Sequence, residues 1–440
     1  MEQRRKNLTQ LFIPICLETL LYMLSGMVDT LMLSSVNDQA VGAVGTANTY
    51  IGIFIIMFSV ISSGMVAVMT QNIGAGRPGV AYQARQLGLA FNAVLGVIMS
   101  LFLSLGAGTI LSGVGVADAL MQPAKTYLQI VGGFCILNAL IPICSSYLRA
   151  FGFSKEPLYA SIIGNVINFC LNAFFLFVLH KGVAGVATAT VISRIINLVI
   201  VVLLGAVLVK AKQHPERESN RAVMGQIIRI GLPSACETAI YNVSMTLVIR
   251  FLNQMDAQGL NVTARSYTMQ ITNFSYCVGA ALAQANAIMT GWHIGAKEYD
   301  ACDRGTKKAA VIGVIVAVIL ETVFTLCSGW IMQLFSKDPQ MVSLVGKLLA
   351  IDIVLEIGRV TNLVYGQALK TSGDAVFPVV MGACFMILCS VGGTYLFGIR
   401  LGLLAVGAYI GMAGDECVRA IGMYLRWKSG KWKEKGLVKS

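Results

Sequence analysis

Leu87–Leu111 reads LGLAFNAVLGVIMSLFLSLGAGTIL, without one charged side chain. A helix rises about 1.5 Å per residue, so such a run crosses the roughly 30 Å hydrocarbon core of a bilayer. Val183–Val209, Ala309–Phe335 and Phe377–Phe397 repeat the pattern with at most one charge each. The whole chain follows suit. Of its 440 residues, 56% are hydrophobic and 12% charged, about half the charged share that a water-facing domain needs. Mean hydropathy is +0.74. These numbers imply a multispanning membrane protein.

The net charge of +12 does not point to nucleic acid, because no basic face with interleaved aromatics exists. The basic residues sit in short loops and in a C-terminal cluster of Arg426, Lys428, Lys431, Lys433, Lys435 and Lys439. Beside apolar spans they read as topology signal and lipid-headgroup contact. The eleven cysteines are scattered without a C-x-x-C pair, which argues against a disulfide framework and a zinc site and reads them as small hydrophobes. Met1–Lys6 is short and charged with no small-residue cleavage site after it, so no removable signal peptide is expected.

Hydropathy and breakers predict twelve spans: 8–33, 42–71, 85–111, 122–149, 157–180, 183–209, 226–253, 263–292, 307–335, 341–369, 374–399 and 402–427. With the N-terminus in the cytoplasm, 23 Lys and Arg fall on the inner side. Seven fall outside (Lys125, Lys181, Arg250, Arg265, Lys337, Lys347 and Arg400), and Arg194, Arg359 and Arg419 lie within spans. The bias predicts cytoplasmic termini. The polar stretch Lys210–Arg221 marks the midpoint, and the halves match across it. Pro14-x-x-x-Glu18 recurs as Pro233-x-x-x-Glu237, Ile73-Gly74-Ala75 as Ile294-Gly295-Ala296, and Arg149, Gly152, Pro157 as Lys370, Gly373, Pro378. Offsets near 220 throughout indicate an internal repeat. Each half has an even number of spans, so the repeats are parallel. The expected fold is all-α and integral to the membrane, with two parallel six-helix bundles related by a pseudo-two-fold axis along the membrane normal. The expected divisions are residues 1–209 and 226–427 for the bundles, 210–225 for a cytoplasmic linker and 428–440 for a basic tail.

At this level of detail the chain resembles the multidrug and toxic compound extrusion (MATE) family. The likeness runs through Pro14 to Glu18, Val28-Asp29-Thr30, Gln71-Asn72-Ile73-Gly74-Ala75-Gly76, Leu148-Arg149-Ala150-Phe151-Gly152, and Gly182-Val183-Ala184-Gly185 with Ala189-Thr190. It continues through Glu356-Ile357-Gly358-Arg359 with Asn362, Gly373-Asp374, and Asp415 to Arg419 with Arg426-Trp427. The resemblance implies a monomeric antiporter in the plasma membrane. Sodium ions or protons would enter while organic, often cationic compounds leave, without any cofactor.

An ionisable group at mid-span costs roughly 2.5–3.5 kcal/mol or more, so each needs a partner or a function. Asp29 has no Lys or Arg within four residues. It reads either as a carboxylate that binds the coupling cation or proton, or as a span end meeting outer water. Asn168 and Asn172 share a helix face, and Thr190 offers a hydroxyl, so Asp29, Asn168, Asn172 and Thr190 form a candidate sodium or proton site. The other reading is ordinary interhelical hydrogen bonding. Some family members carry an acid where Asn172 stands, which weakens the sodium reading. In the second half the candidates are Glu237, Asp352, Glu356 and Arg359. Asp352 and Glu356 share a face, Glu356 can pair with Arg359, and Asp415 with Arg419. Some family members couple through a span-seven Glu and a span-ten Asp. Glu237 and its repeat mate Glu18 lie near the inner span ends, as site or gate residues. Glu321 has no local partner and is the weakest candidate.

An intramembrane enzyme is disfavoured, since His180, His214 and His293 lie at loops or span ends and no G-x-S-x-G motif occurs. The second reading is a lipid-linked precursor flippase of related two-bundle fold. It would need a basic cavity for pyrophosphate, whereas Arg194, Arg359 and Arg419 lie near acids or inner ends. The expectation is a cation-coupled exporter of amphipathic organic cations.

Overall fold

The computed structural model describes residues 6–35, 38–113, 116–210, 214–256, 258–333 and 335–438. Four residues of the charge count, Arg4, Arg5, Lys212 and Lys439, lie outside these. Two compact units emerge, Met1–Gly231 and Leu232–Ser440.

Six long helices open the chain: α1 (Leu8–Ser34), α2 (Asp38–Gly74), α3 (Pro78–Gly113), α4 in two arms (Asp118–Gly133 and Ile136–Ala150), α5 (Lys155–Ala173) and α6 (Gly182–Leu208). Six more follow: α7 (Asn220–Met255), α8 (Leu260–Gly295), α9 (Tyr299–Leu326), α10 (Pro339–Ser372), α11 (Val376–Phe385, with wider turns at Met386–Val391 and Thr394–Arg400) and α12 (Leu404–Lys428). No strand occurs among the described residues. Large apolar side chains point outward, with Leu105 83% and Leu326 80% exposed, as a lipid-facing surface requires and a water-facing one forbids. The protein is an all-α, multi-pass membrane protein.

Seven helices are long and apolar enough to cross a bilayer, and the bent pair forming α4 makes an eighth. The other four, α7, α8, α10 and α12, fall short because they carry polar groups. Arg265, Asp352, Glu356, Asp415, Glu416 and Arg419 on them are buried inside the unit. The helices overrun several predicted spans at the ends rich in basic residues. Thus α3 starts at Pro78, α7 at Asn220 and α9 at Tyr299. Helical hydrogen bonds persist beyond the hydrocarbon, where hydropathy no longer reports them. Span four departs from the sequence expectation of one continuous helix. It bends by 43° after Gly132-Gly133, a flexible pair of the kind that kinks helices. The freed Ile136 N–H donates to Ser100 Oγ at 3.0 Å.

The repeated sequence marks become repeated contacts. Arg149 on α4 reaches Glu18 on α1 at 2.6 Å, and Lys370 on α10 reaches Glu237 on α7 at 2.5 Å. Gly152 (φ +84°) and Gly373 (φ +99°) end these two helices in the left-handed region. In both, paired bonds run back to the last turn, Phe153 N to Leu148 O and Asp374 N to Leu369 O, the Schellman arrangement that glycine permits. The fifth helix of each set ends in widened turns, closed by Leu179 N to Phe174 O and Leu401 N to Leu396 O.

The segment 210–225, expected as a linker, is held to the first unit where it is described. Arg77 pairs with Glu218 at 2.7 Å, and Gln83 donates to the Glu218 carbonyl at 2.7 Å. The division between units falls beyond it, within α7. In the second unit the expected tail folds back. Trp432 stacks on Trp427 with centroids 4.1 Å apart, and its indole N–H donates to the Trp427 carbonyl.

Candidate functional site

Each unit holds a polar cluster at depth. In the first, α1 supplies Asp29 and α5 supplies Asn168 and Asn172 one turn apart. The Asn172 amide donates to Asp29 Oδ1 at 2.7 Å and to Asn168 Oδ1 at 3.2 Å. Asn172 is fully buried, and its own carbonyl oxygen has no partner among the described residues. Thr190 on α6 does not join this chain. Its hydroxyl donates to the Val186 carbonyl of its own helix at 2.9 Å. Three of the four residues expected together are therefore linked, with Asp29 half-buried at the end of the line.

Arg194 lies within electrostatic reach of an acid, Asp29, as expected, but is not bonded to it. It sits at the middle of α6, half-buried, with no hydrogen bond or ion pair to any described residue. It acts on Asp29 and Tyr127 only through longer-range electrostatics.

The second unit assembles a denser cluster. Glu321 on α9 and Asp352 and Glu356 on α10 are 0%, 2% and 0% exposed, and one carboxylate oxygen from each lies within 4.8 Å of the other two. Both oxygens of Glu321, Asp352 Oδ2 and Glu356 Oε2 lack hydrogen-bond partners among the described residues. Glu356 also meets Arg359, which stands 3.7 Å from Glu416 on α12. Arg419 forks onto Asp415 with two 2.9 Å bonds and reaches Glu416 at 2.9 Å. Asn362 donates to Glu416 at 3.0 Å, and Ser390 to Asp415 at 2.9 Å. Glycine makes this meeting of helices possible. A Cβ on Gly358 would stand 2.7 Å from the Cys417 nitrogen and 2.8 Å from the Glu416 carbonyl carbon, so only a bare backbone lets α10 approach α12 this closely.

Five acids share two arginines here. Two ionised carboxylates at this spacing repel by about 3 kcal/mol or more, even at an effective dielectric near 20. The three can stay ionised together at this spacing only with positive charge among them, whether protons or a bound cation. Local pairing, expected in this half, is made by Asp415 with Arg419 and by Glu356 with Arg359, but it leaves Glu321 and Asp352 without a base bonded to them among the described residues. Glu321 stood alone in sequence because the acids it meets, Asp352 and Glu356, lie 31 and 35 residues on, on another helix. Its signal was an uncompensated acid inside an apolar span. Glu237, by contrast, is spent on Lys370 and lies apart from the trio's bonds.

Matching positions of the halves carry different chemistry. Phe175 closes on Gly185 in the first unit as Phe397 does on Gly407 in the second. At that same offset of 222, Asn168 and Asn172 correspond to Ser390 and Thr394, and Arg194 corresponds to Glu416. At that one position the sixth helix carries a base in the first unit and an acid in the second.

A family model for MatE matches residues 14–174 and again 233–396, once per half. An uncharacterized transporter of Bacillus subtilis, YisQ, is 34% identical over 431 residues, covering 97% of this chain and 94% of that protein. The probable multidrug resistance protein NorM of Thermotoga maritima is 23% identical over 450 residues, covering 99% and 94%. Among solved structures, an outward-facing multidrug resistance MATE family transporter of the MOP superfamily superposes with a TM-score of 0.84 at 18% identity, over 98% of this chain and 96% of that one. With the repeat, the twelve helices and a family match in both halves, the chain belongs to the MATE family, whose members are membrane transporters and not enzymes.

Proposed function

We propose that the protein exports amphipathic organic compounds across the plasma membrane by alternating access, driven by inward flow of protons or sodium ions. Both termini face the cytoplasm, and the unit of function is the monomer. The observation that carries the reading is the buried trio Glu321, Asp352 and Glu356, with four partnerless oxygens and more acid than base around it. Such a group is stable only when it is loaded with positive charge, so its loading changes the packing of α9 and α10. Asp29, with Asn168 and Asn172, is a second, weaker loading site. Thr190 serves it through its oxygen lone pairs, since its hydrogen is used within α6. Arg359 holds Glu356 and Glu416 in register, and Glu237 braces α7 against α10 through Lys370.

The flippase reading lacks a basic cavity, since Arg359 and Arg419 are both committed to carboxylates and Arg194 stands within electrostatic reach of Asp29. The test is gradient-driven efflux of a fluorescent organic cation from proteoliposomes, with imposed proton or sodium gradients. Asp352→Asn and Glu321→Gln should each lower coupled flux at least tenfold, and Asp29→Asn should lower it less. Undiminished flux in both trio variants would remove the trio from the mechanism, and undiminished flux in Asp29→Asn would remove Asp29.

A further inference from the structure

Arg194 is a cation without a bonded partner in the interior of the first unit. It lies about 20 Å along α6 from either helix end, at the depth where a charge is most costly. Its face of the helix is fixed by its neighbours. Ala187, Val191 and Leu198, at seven and three residues before and four after, pack into the apolar cluster that also contains Tyr127 and Cys135. Ile195 and Val199, on the other side, are the exposed ones. Arg194 therefore points inward, not toward lipid. Its guanidinium feels Asp29, Tyr127 and Cys135, but the Asp29 carboxylate is bonded to Asn172 instead. Arg359 and Arg419 of the other unit, by contrast, are both tied to acids, while its buried Arg265 reaches Met245 Sδ rather than an acid among the described residues. A planar fork of donors left unbonded beside an apolar cluster matches one ligand chemistry best, a carboxylate taken bidentately.

We propose that Arg194 is a binding subsite for a carboxylate group carried by the transported compound. The substrates are thereby narrowed from simple organic cations to amphipaths that also bear a carboxylate, zwitterions among them. Asp29 nearby then repels the carboxylate when ionised and admits it when protonated or ion-loaded, which links anion binding to coupling. The inference rests on the export reading above, but its test can be separated from it.

Rhodamine 110 has a free carboxylate, and rhodamine 123 is its methyl ester with the same cationic ring system. Fluorescence polarisation with purified, detergent-solubilised protein measures the affinity for each. Wild type should bind the acid at least tenfold more tightly than the ester. In Arg194→Gln the ratio should fall to about one, while Arg194→Lys, which keeps the charge but not the fork, should retain part of it. A thermal melt of each variant shows that the fold is intact. A wild-type ratio near one, or a tenfold ratio that survives in Arg194→Gln, overturns the subsite and leaves Arg194 as a distant counterion of Asp29. Flux in proteoliposomes separates the two readings. A ratio lost in Arg194→Gln without gradient-driven efflux by wild type supports the subsite and sinks the export reading. Efflux with an unchanged ratio does the reverse.

Discussion

Side chains reveal their cost one at a time. Glu18–Arg149 and Glu237–Lys370 are the same ion pair made twice, each partner mostly buried. Removing one member leaves the other charge desolvated, which for buried pairs costs about 3–5 kcal/mol, while removing both costs much less. Lys370→Met should therefore lower the melting temperature more than the double variant Lys370→Met/Glu237→Met. Differential scanning fluorimetry in detergent checks it, and additive losses would count against pairing. Sequence showed these residues as repeat marks and left open whether they were site or gate. Their pairing was out of reach because the partners lie more than 130 residues apart. Asn172 was more legible, since its spacing from Asn168 puts both on one face. Which of the two would meet Asp29 depended on the packing of α1 on α5.

Helices show what local chemistry can and cannot dictate. Gly76 and Lys297 occupy the same turn in the two halves, both at positive φ (+75° and +60°). The left-handed region costs a residue with a Cβ about 1 kcal/mol, so Lys297→Gly should stabilise the second unit by up to about that amount. Equilibrium unfolding against chemical denaturant would show it as a raised midpoint. Gly358 makes the opposite case. Alanine there would drive a methyl group into the α12 backbone, separating Arg359 from Glu416, so Gly358→Ala should reduce coupled flux severalfold and lower stability together. An unchanged flux assay would refute this account of how the cluster is assembled. Tail and helix meet through Trp432, which is 1% exposed against Trp427. Truncating it to alanine should cost about 3 kcal/mol or more by the measure of buried aromatics, read as a loss of several degrees in the thermal melt. The sequence marked this segment only as basic, because five lysines conceal two buried residues, Trp432 and Leu437.

For the whole molecule, orientation follows from charge. Lys and Arg concentrate on the side that bears the termini, so a C-terminal green fluorescent protein fusion should fluoresce and a C-terminal alkaline phosphatase fusion should be inactive. The reverse pattern would overturn the topology. Span number, repeat and membrane class could be read from the sequence alone. Each depends on composition along the chain, and lipid selects for apolar length whatever the packing. The chemistry of the second unit could not. Glu321, Asp352 and Glu356 read as a stray acid and a local pair until α9 and α10 were packed together. Arg194 read as one more in-span cation until its helix face was known. Backbone length and hydropathy are additive along a chain, so sequence determines them. Which charges share a pocket, and which arginines are bonded to an acid, depends on distances across helices that only tertiary packing sets.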